Sequence, residues 1–579
     1  MKKYLTLALL SQLWSSSAWA TTYYMRANGA AASPIVATGP CATVSATMSM
    51  AVHNASTFSA GDTIYVCNDG GTFRSQLVVP SSGSIGSPIT YASGQTAKPI
   101  ITPSTLVTGW TLYSGSIYSA SYATTAQSVW EDNTYLPSVG SLSALAVGTW
   151  YIDTIAHLLY VWTLDGSSPI GHTMEAGTSS VQQGSAILLT SISYVNFQDL
   201  ILEKNSATTK GLIEASASSY IIMSRLEVRY GGKQSYGLDF VGGSHNTIQD
   251  SLVHDMRNDG IYFRQSSTYD SVLRNTIYNI GQNTDAGDNG AICFGGVNGL
   301  SNYGLADSNL IYNVGHSDTT AHNHTIEVDR SSFCVIRYNR IHDCVKGGIS
   351  IGGTTTGTSP SLITDCDVYG NLIYDINLSY GAHTGQGAGI LLMNGVRINV
   401  YNNTVWNIGT SSWSDSPIWV DGSVGQTLDS IATFNNIIGP SLGSYRRTFE
   451  FAANAAYTNR ISNNNLFYDS SGIILLVGTS THTTLASYKA AVAPQDSSSL
   501  NSNPLFVNLA GNNFSLQPAS PAINAGANLG SPYNLRLVWT SVWPASVVTA
   551  DQNTDGSGLE IGAYVYVGAS PPVLEAFPH

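Results

Sequence analysis

Short runs in which aliphatic residues alternate with other residues recur along most of the chain, with Gly, Ser, Asn and Thr between them. Ile326-Glu-Val-Asp329 and Ile349-Ser-Ile-Gly352 are typical. A period of two predicts β-strands that bury one side, and the recurring units do not show the 3.6-residue period of an amphipathic helix. The pattern therefore predicts an all-β protein made of many short strands.

A motif of Asn or Asp, any residue, an aliphatic residue and often an aromatic one recurs through the middle of the chain. Its members are Asp250, Asn275, Asn309, Asn339, Asn371, Asn403, Asn436 and Asn465, with weaker copies at Asp199 and Ser224. From Asp250 onward the spacing is about 25 to 34 residues, within the range of solenoid repeats. One coil cannot bury its inward side chains alone, so we expect a parallel β-helix of about ten or more stacked coils.

The repeated asparagine fits an inward turn position, where its amide hydrogen-bonds to the same residue in the next coil. A ladder of this kind needs the same residue in every coil, whereas a ligand site does not. We therefore interpret these asparagines as structural.

Charge is scarce: Lys and Arg number 23, Asp and Glu 36, and together they are 10% of the 579 residues. The formal net charge of −13 has the wrong sign for nucleic acid or an anionic membrane surface, so neither is expected as a partner. Hydrophobic residues at 43% argue against wholesale disorder. The few carboxylates that do occur are therefore informative.

The N-terminus predicts export. Lys2 and Lys3 precede a short apolar run, and Ala18-Trp-Ala20 has the form of a signal-peptidase site, so we expect cleavage near Ala20 and a protein that is secreted, either extracellular or periplasmic.

Cysteines of an exported chain can pair. We expect one bridge between Cys41 and Cys67. A second is expected between Cys334 and Cys366, because each lies five residues before a repeat asparagine and so at equivalent places of adjacent coils. Without a Cys-x-x-Cys motif, no metal cluster is expected.

The repeat resembles the right-handed parallel β-helices of the pectate-lyase-like superfamily. Gly61-Asp-Thr-Ile-Tyr-Val66 is similar to their opening coils, and Ser520-Pro-Ala-Ile-Asn-Ala-Gly526 to their closing segments. The resemblance implies a single-stranded solenoid with a C-terminal capping segment. The expected division is a signal peptide over 1–20, an N-terminal cap and first coils over 21–105, an inserted β-hairpin subdomain over 106–182, the β-helix over 183–480, and a closing segment over 481–579.

A second strand follows each asparagine turn, and its alternation predicts two outward rows. The first row is Tyr262, Cys293, Glu327, Ser350, Leu391 and Trp419, and the second is Arg264, Gly295, Asp329, Gly352, Met393 and Asp421. Glu327 and Asp329 thus share one outward face. Loops before these strands are long, which favours a groove. They carry His322, His324, Lys346 and His383, which with Asp259, Tyr262, Arg264, Arg330 and Trp419 are the expected substrate contacts.

Glycoside hydrolysis needs two carboxyl groups. Asp288-Asn-Gly-Ala-Ile292 followed by Ile326-Glu-Val-Asp329 resembles a motif pair of β-helix glycoside hydrolases of the α-L-fucosidase/xylanase type, which implies Asp288 and Asp329 as the catalytic carboxyls, with Glu327 as a third candidate. Arg330 stands where that type has a second Asp, and Cys293 where it has an aromatic. Extended strands would separate Asp288 and Asp329 by roughly 20 Å, so Glu327 and Asp259 are alternative partners.

Two other functions stay open. A polysaccharide lyase or epimerase would use Lys346, Arg264 or Arg330 as the base, and Ca²⁺ held by Glu327 and Asp329. Against it, no outward basic row follows Glu327. The third possibility is a non-catalytic glycan-binding or surface solenoid. For the hydrolase we expect a poly- or oligosaccharide substrate, a monomer and no cofactor.

Overall fold

The computed structural model describes residues 20–178, 184–205, 210–282, 290–296, 299–315, 324–345, 347–352, 362–377, 387–409, 416–421, 427–442, 446–452, 457–556 and 558–568. Most of these residues form a parallel β-helix in which each coil has three faces. The predicted signal peptide lies outside them, apart from Ala20. No helix in the described ranges has the length and apolar character needed to cross a bilayer.

The first face contains the strands Leu77–Val78, Ile187–Thr190, Gly211–Ser224, Tyr236–Ser244, Ile261–Arg264, Ile292–Gly295, His324–Asp329, Gly347–Ile351, Ile390–Leu392, Ile418–Val420, Phe449–Ala452 and Leu475–Gly478, with Ser480–His482 antiparallel to the last. Successive strands pair in parallel. Gly211–Ser224 and Tyr236–Ser244 are long enough to continue into the second face.

The second face contains Thr22–Met25, Thr63–Val66, Ile89–Ser93, Ser193–Gln198, Thr247–Gln249, Ser271–Leu273, Leu305–Asp307, Val335–Arg337, Ile363–Tyr369, Gly395–Tyr401, Leu428–Asp429, Ala432–Phe434, Tyr457–Thr458 and Ile461–Asn463. The third face contains Ile100–Ile101, Ile201–Glu203, Glu227–Arg229, Leu252–Met256, Thr276–Ile280, Leu310–Val314, Arg340–His342, Leu372–Ile376, Thr404–Gly409, Ile437–Ile438, Ser441–Leu442, Leu466–Phe467 and Leu500–Asn501. Two short α-helices, Met50–Asn54 and Leu485–Val492, lie near the two ends of the β-helix.

The predicted register of the first face is confirmed. Ile261 pairs with Ile292, Ile292 with Ile326 and Ile326 with Ile349, and the row continues through Ile390 and Ile418. All of these isoleucines are fully buried. Burial of one such side chain contributes about 1.5–3 kcal/mol, so the stacked row is a principal source of the stability of the solenoid.

The asparagine ladder is also confirmed, from Asn275 to Asn465. In each coil the side-chain oxygen accepts hydrogen bonds from the backbone and side-chain amides of the preceding asparagine, as Asn309 Oδ1 does from Asn275 at 2.9 and 3.1 Å. The earlier members were misplaced. Ser251, not Asp250, donates its backbone N–H to Asn275, because residue 250 has a left-handed φ of 51° and its carboxylate pairs outside with Arg274 at 2.8 Å.

The inserted region contains more than the predicted hairpin. Thr149–Asp153 does pair with Leu158–Trp162, and Ile117–Ser121 and Thr111–Ser114 complete that antiparallel sheet. A second four-stranded sheet has the order Thr134–Leu136, Ala126–Glu131, Met174–Thr178 and Thr105–Leu106. The two sheets share an apolar core that includes Trp110, Val129 and Trp150.

The closing segment runs back along the outside of the β-helix. It contains two antiparallel strand pairs, Phe506–Asn508 with Asn513–Leu516 and Leu535–Leu537 with Thr549–Asp551. Trp543 donates its indole N–H to the carbonyl of Tyr338 at 2.7 Å, about two hundred residues earlier in the chain. The segment therefore covers outward aromatic residues of the coils as well as the end of the helix.

One of the two predicted disulfides is present. Cys41 and Cys67 are bonded, with Cα atoms 5.8 Å apart. Cys334 and Cys366 occupy adjacent coils as expected, but both are free thiols, so the second bridge was a wrong prediction. Parallel side chains in register project side by side, and the Cys366 sulfur instead accepts the backbone N–H of Cys334 at 3.4 Å.

Candidate active site

The outward row of the first face forms the candidate site. Register places Tyr262 beside Cys293, Cys293 beside Glu327, and Glu327 beside Ser350, as predicted. Adjacent coils are about 4.8 Å apart, so these side chains are direct neighbours. The row continues to Leu391 and Trp419, and the whole of it, Tyr262 excepted, is buried.

Glu327 and Asp329 lie two residues apart on the strand His324–Asp329, so their side chains point to the same side at a Cα spacing of about 6.6 Å. Asp329 is the more accessible, with 17% of its side chain exposed, and Glu327 is buried. The Arg330 Nε lies 3.7 Å from Asp329 Oδ1. A cation at that distance stabilises the ionised carboxylate of Asp329.

Asp259 is a third carboxylate of this group. It precedes the strand Ile261–Arg264 and is 4% exposed. Its Oδ1 accepts the backbone N–H of Gly290 at 2.6 Å and lies 3.6 Å from the thiol sulfur of Cys293. Asp259 therefore ties its own coil to the next one, at Cys293, which is the strand neighbour of Glu327.

Arg264 is engaged by a carboxylate. It donates two hydrogen bonds to Asp239 in the preceding coil, at 2.8 and 2.7 Å. These bonds raise the pKa of the Arg264 guanidinium, while burial raises the pKa of Asp239 despite its partner. Burial also raises the pKa of the Tyr262 hydroxyl. Neither Arg264 nor Tyr262 is thus prepared to act as a base.

Gly295 and Gly352 flank Asp329 in the neighbouring coils, and the backbone explains why both residues are glycine. Gly295 has a φ of +105°, and a Cβ there would lie 1.6 Å from the carbonyl oxygen of Asp329. Gly352 has a φ of +121°, and its Cβ would meet the backbone nitrogen of Asn394 at 2.6 Å. Glycine is therefore required by the close turns beside the site.

The inserted region forms a wall beside the start of the row. Arg257, two residues before Asp259, lies over the ring of Tyr135 at 3.9 Å from its centroid. Glu175 of the insertion is buried and bonds both Lys204 and Arg74 of the coils, the latter at 2.5 Å. A buried charge network of this kind holds the insertion against the loops that lead into the first face.

Of the remaining predicted residues, His324 and Trp419 are described by the structure and four others lie outside the described ranges. His324 is buried at the start of its strand, where a Cβ on Gly347 would lie 2.3 Å from its ring. Trp419 packs with Leu391, Met393 and Ala388 in an apolar cluster at the far end of the row. Residues outside the described ranges are Asp288, His322, Lys346 and His383.

Three acidic members of the row were not predicted from the sequence. Glu214 and Asp239 precede Tyr262 in the row, and Glu450 follows Trp419. All three lie between apolar residues, in Ile213-Glu-Ala215, Leu238-Asp-Phe240 and Phe449-Glu-Phe451, as Glu327 does. That alternation is the signal that could have found them.

Within the described residues, the grouping that could hold a metal ion is in the insertion, not in the row. Glu131, Asp165 and His172 place ligand atoms within 4.8 Å of one another. His172 already uses both ring nitrogens, towards Asp132 at 2.7 Å and Ser167 at 3.0 Å. These contacts account for the cluster without an ion.

Comparison with protein families matches residues 213–386 to the right-handed beta helix region family. The complex of XylC with xylose is similar in structure, with a TM-score of 0.51 and 12% identity over 77% of this chain and 83% of XylC. A structure described as a glycoside hydrolase has a TM-score of 0.48 and 11% identity, over 76% of this chain and 96% of the other. Pectate lyase Pel9A has a TM-score of 0.36 and 13% identity over 94% and 96%.

No curated protein matches the chain in sequence. The family match and the strand pairing agree on the architecture, which is a right-handed parallel β-helix. At 12% identity, the similarity to XylC concerns the fold.

Proposed function

We propose that this protein is a carbohydrate-active enzyme, a glycoside hydrolase with Glu327 and Asp329 as its carboxyl pair. The observation that carries the proposal is their position on one strand and one outward face, at a Cα spacing of about 6.6 Å. Retaining and inverting hydrolases hold their carboxyl groups about 5–9.5 Å apart, a separation that two side chains projecting to the same side from Cα atoms at this spacing can reach.

The environments of the two residues suggest their roles. Asp329, beside the Arg330 guanidinium, is assigned as the ionised carboxylate that acts as nucleophile or base. Glu327 is assigned as the acid that protonates the leaving oxygen. Asp259 is engaged by Gly290 and Cys293 and is assigned to positioning. We keep Asp288 as a candidate from the motif resemblance.

The lyase or epimerase alternative needs an available base. Arg264 is not available as a base because it is hydrogen-bonded to Asp239. The neighbour that follows Glu327 in the row is Ser350, which is not a basic residue. As part of the hydrolase proposal, we also propose that the protein is exported, is a monomer and acts on a poly- or oligosaccharide.

The test is an activity screen of the mature protein and its variants. Substrates are neutral oligosaccharides, with xylo-oligosaccharides included because XylC was solved with xylose, and uronate oligosaccharides. Reducing ends and ultraviolet absorbance are read together, since only elimination produces an unsaturated uronate. We expect E327Q and D329N each to lower the rate at least about 100-fold, the scale of lost acid–base catalysis.

The matched control is E214Q. Glu214 lies in the same row but four coils from Glu327, roughly 19 Å away, and bonds Lys210. Its activity should stay near that of the unmodified protein. Full activity in both E327Q and D329N would refute the proposed pair. An ultraviolet-absorbing product would indicate the lyase, and inactivity on every substrate with retained glycan binding would indicate a binding solenoid.

A further inference from the structure

A concave site lies on the third face, away from the outward row. It is a cavity of about 570 Å³ between the strands Leu372–Ile376 and Thr404–Gly409 and the closing-segment pair Phe506–Asn508 and Asn513–Leu516. This volume lies within the range of about 300–1,000 Å³ that is typical of ligand sites. We call it the third-face pocket.

The floor of the third-face pocket is aromatic and held rigidly. Trp406 stacks on Tyr468 with ring centroids 5.8 Å apart and an interplanar angle of 12°, and Phe506 meets Trp406 edge-on at 4.9 Å. A Cβ on Gly439 would lie 2.2 Å from the indole, so glycine is required beneath it. Trp406 is largely buried, whereas Tyr468 is partly exposed and presents its ring to the pocket.

Polar groups surround this floor in fixed orientations. Asn407 donates its side-chain amide to the carboxylate of Asp375. Asn503 accepts the backbone N–H of Leu505 at 2.9 Å, and Gln517 donates to the carbonyl of Phe506 at 2.7 Å. Each of these side chains keeps further hydrogen-bonding capacity, because a carboxylate or an amide can make more bonds than those described.

The lining selects a chemical class. Its residues, all of them described, include one acidic residue and no Lys, Arg or His. An anionic ligand such as a uronate would therefore meet a like charge without a compensating cation. A neutral sugar ring fits, because its C–H face packs on an aromatic ring while its hydroxyls bond to amide and carboxylate groups.

We propose that the third-face pocket binds a ring of a neutral oligosaccharide, as a non-catalytic site separate from the row that carries Glu327. This inference goes beyond the proposed function, because a sugar can bind in the third-face pocket whether or not Glu327 and Asp329 on the first face hydrolyse a substrate.

The experiment measures binding of neutral trisaccharides (xylotriose, cellotriose and laminaritriose) and of trigalacturonic acid to the full mature protein carrying E327Q, by calorimetry and saturation-transfer NMR. We expect at least one neutral trisaccharide to bind, and Y468A and D375N each to weaken its binding at least fivefold. Y113A, which removes an exposed tyrosine of the insertion, is the matched control and should bind as before.

The melting temperature of each variant checks that it is folded, and Q517A, at an exposed rim residue, replaces D375N if that variant does not fold. The proposal is overturned if none of the neutral trisaccharides binds, if trigalacturonic acid binds more tightly, or if the pocket variants bind like the unmodified protein. Because the readout is binding, these results are independent of whether the first face hydrolyses anything.

Discussion

Replacement of Asn339 by alanine should strongly destabilise the middle of the solenoid. Its Oδ1 accepts the backbone N–H of Asn309 at 3.0 Å and the side-chain amide of Asn309 at 2.9 Å. Its Nδ2 donates to the carbonyl of Ala306 at 2.9 Å and to Asn371 Oδ1 at 3.1 Å. All four bonds are buried, and at about 1 kcal/mol each their loss costs about 4 kcal/mol of unfolding free energy.

Urea unfolding followed by circular dichroism measures this loss, and hydrogen exchange shows where it falls. Since repeat proteins can unfold in parts, exchange is the sharper probe, and the amide of Asn309 should lose protection. The control is N501A, at an exposed position of the third-face strand Leu500–Asn501, which should change stability by less than about 0.5 kcal/mol. A cost below about 1 kcal/mol in N339A, with Asn309 still protected, would show that the ladder is not an important source of stability.

Three further outcomes are expected. R264L leaves the buried carboxylate of Asp239 unpaired and should cost about 3–5 kcal/mol. Since burial already raises the pKa of Asp239, the loss should be large at pH 8 and shrink as the pH falls and the carboxyl protonates; an equal loss at pH 4 and pH 8 would contradict this. Denatured, non-reduced protein should show four reactive thiols, counted by mass after alkylation; two would mean that Cys334 and Cys366 are bridged. G295A should lower stability by at least about 2 kcal/mol in thermal unfolding, because its Cβ would meet a carbonyl at 1.6 Å; an unchanged melting temperature would refute the requirement for glycine.

The sequence predicted the stacking of the coils well, because stacking depends on local alternation and on one repeated side chain. Ile292 and Ile326 pair as expected, and the asparagines after Asn275 form the ladder. The prediction of the ladder was wrong at Asp250, because the inward position is Ser251 and a shift of one residue reverses which side chain points inward. The prediction of a Cys334–Cys366 bridge was wrong: the two residues do lie in adjacent coils, but the Cys366 sulfur accepts the backbone N–H of Cys334 and no covalent bond joins the two sulfurs.

The site was only partly predictable. Glu327 and Asp329 follow from alternation along one strand, which local sequence determines. The approach of Asp259 to Cys293 depends on how a loop crosses to the next coil, and periodicity does not describe such a path. Asp288 remains a prediction from its motif.

The sequence by itself thus determined the architecture, since two-residue alternation and recurring asparagines specify which side chains face the core of every coil. Only the tertiary structure decided what lies beside the coils. The insertion is held by Glu175 next to the first face, and the closing segment returns along the third face, where Phe506 meets Trp406. Contacts between segments a hundred or more residues apart depend on chain paths that no repeat encodes, and the proposed pocket on the third face exists only because of them.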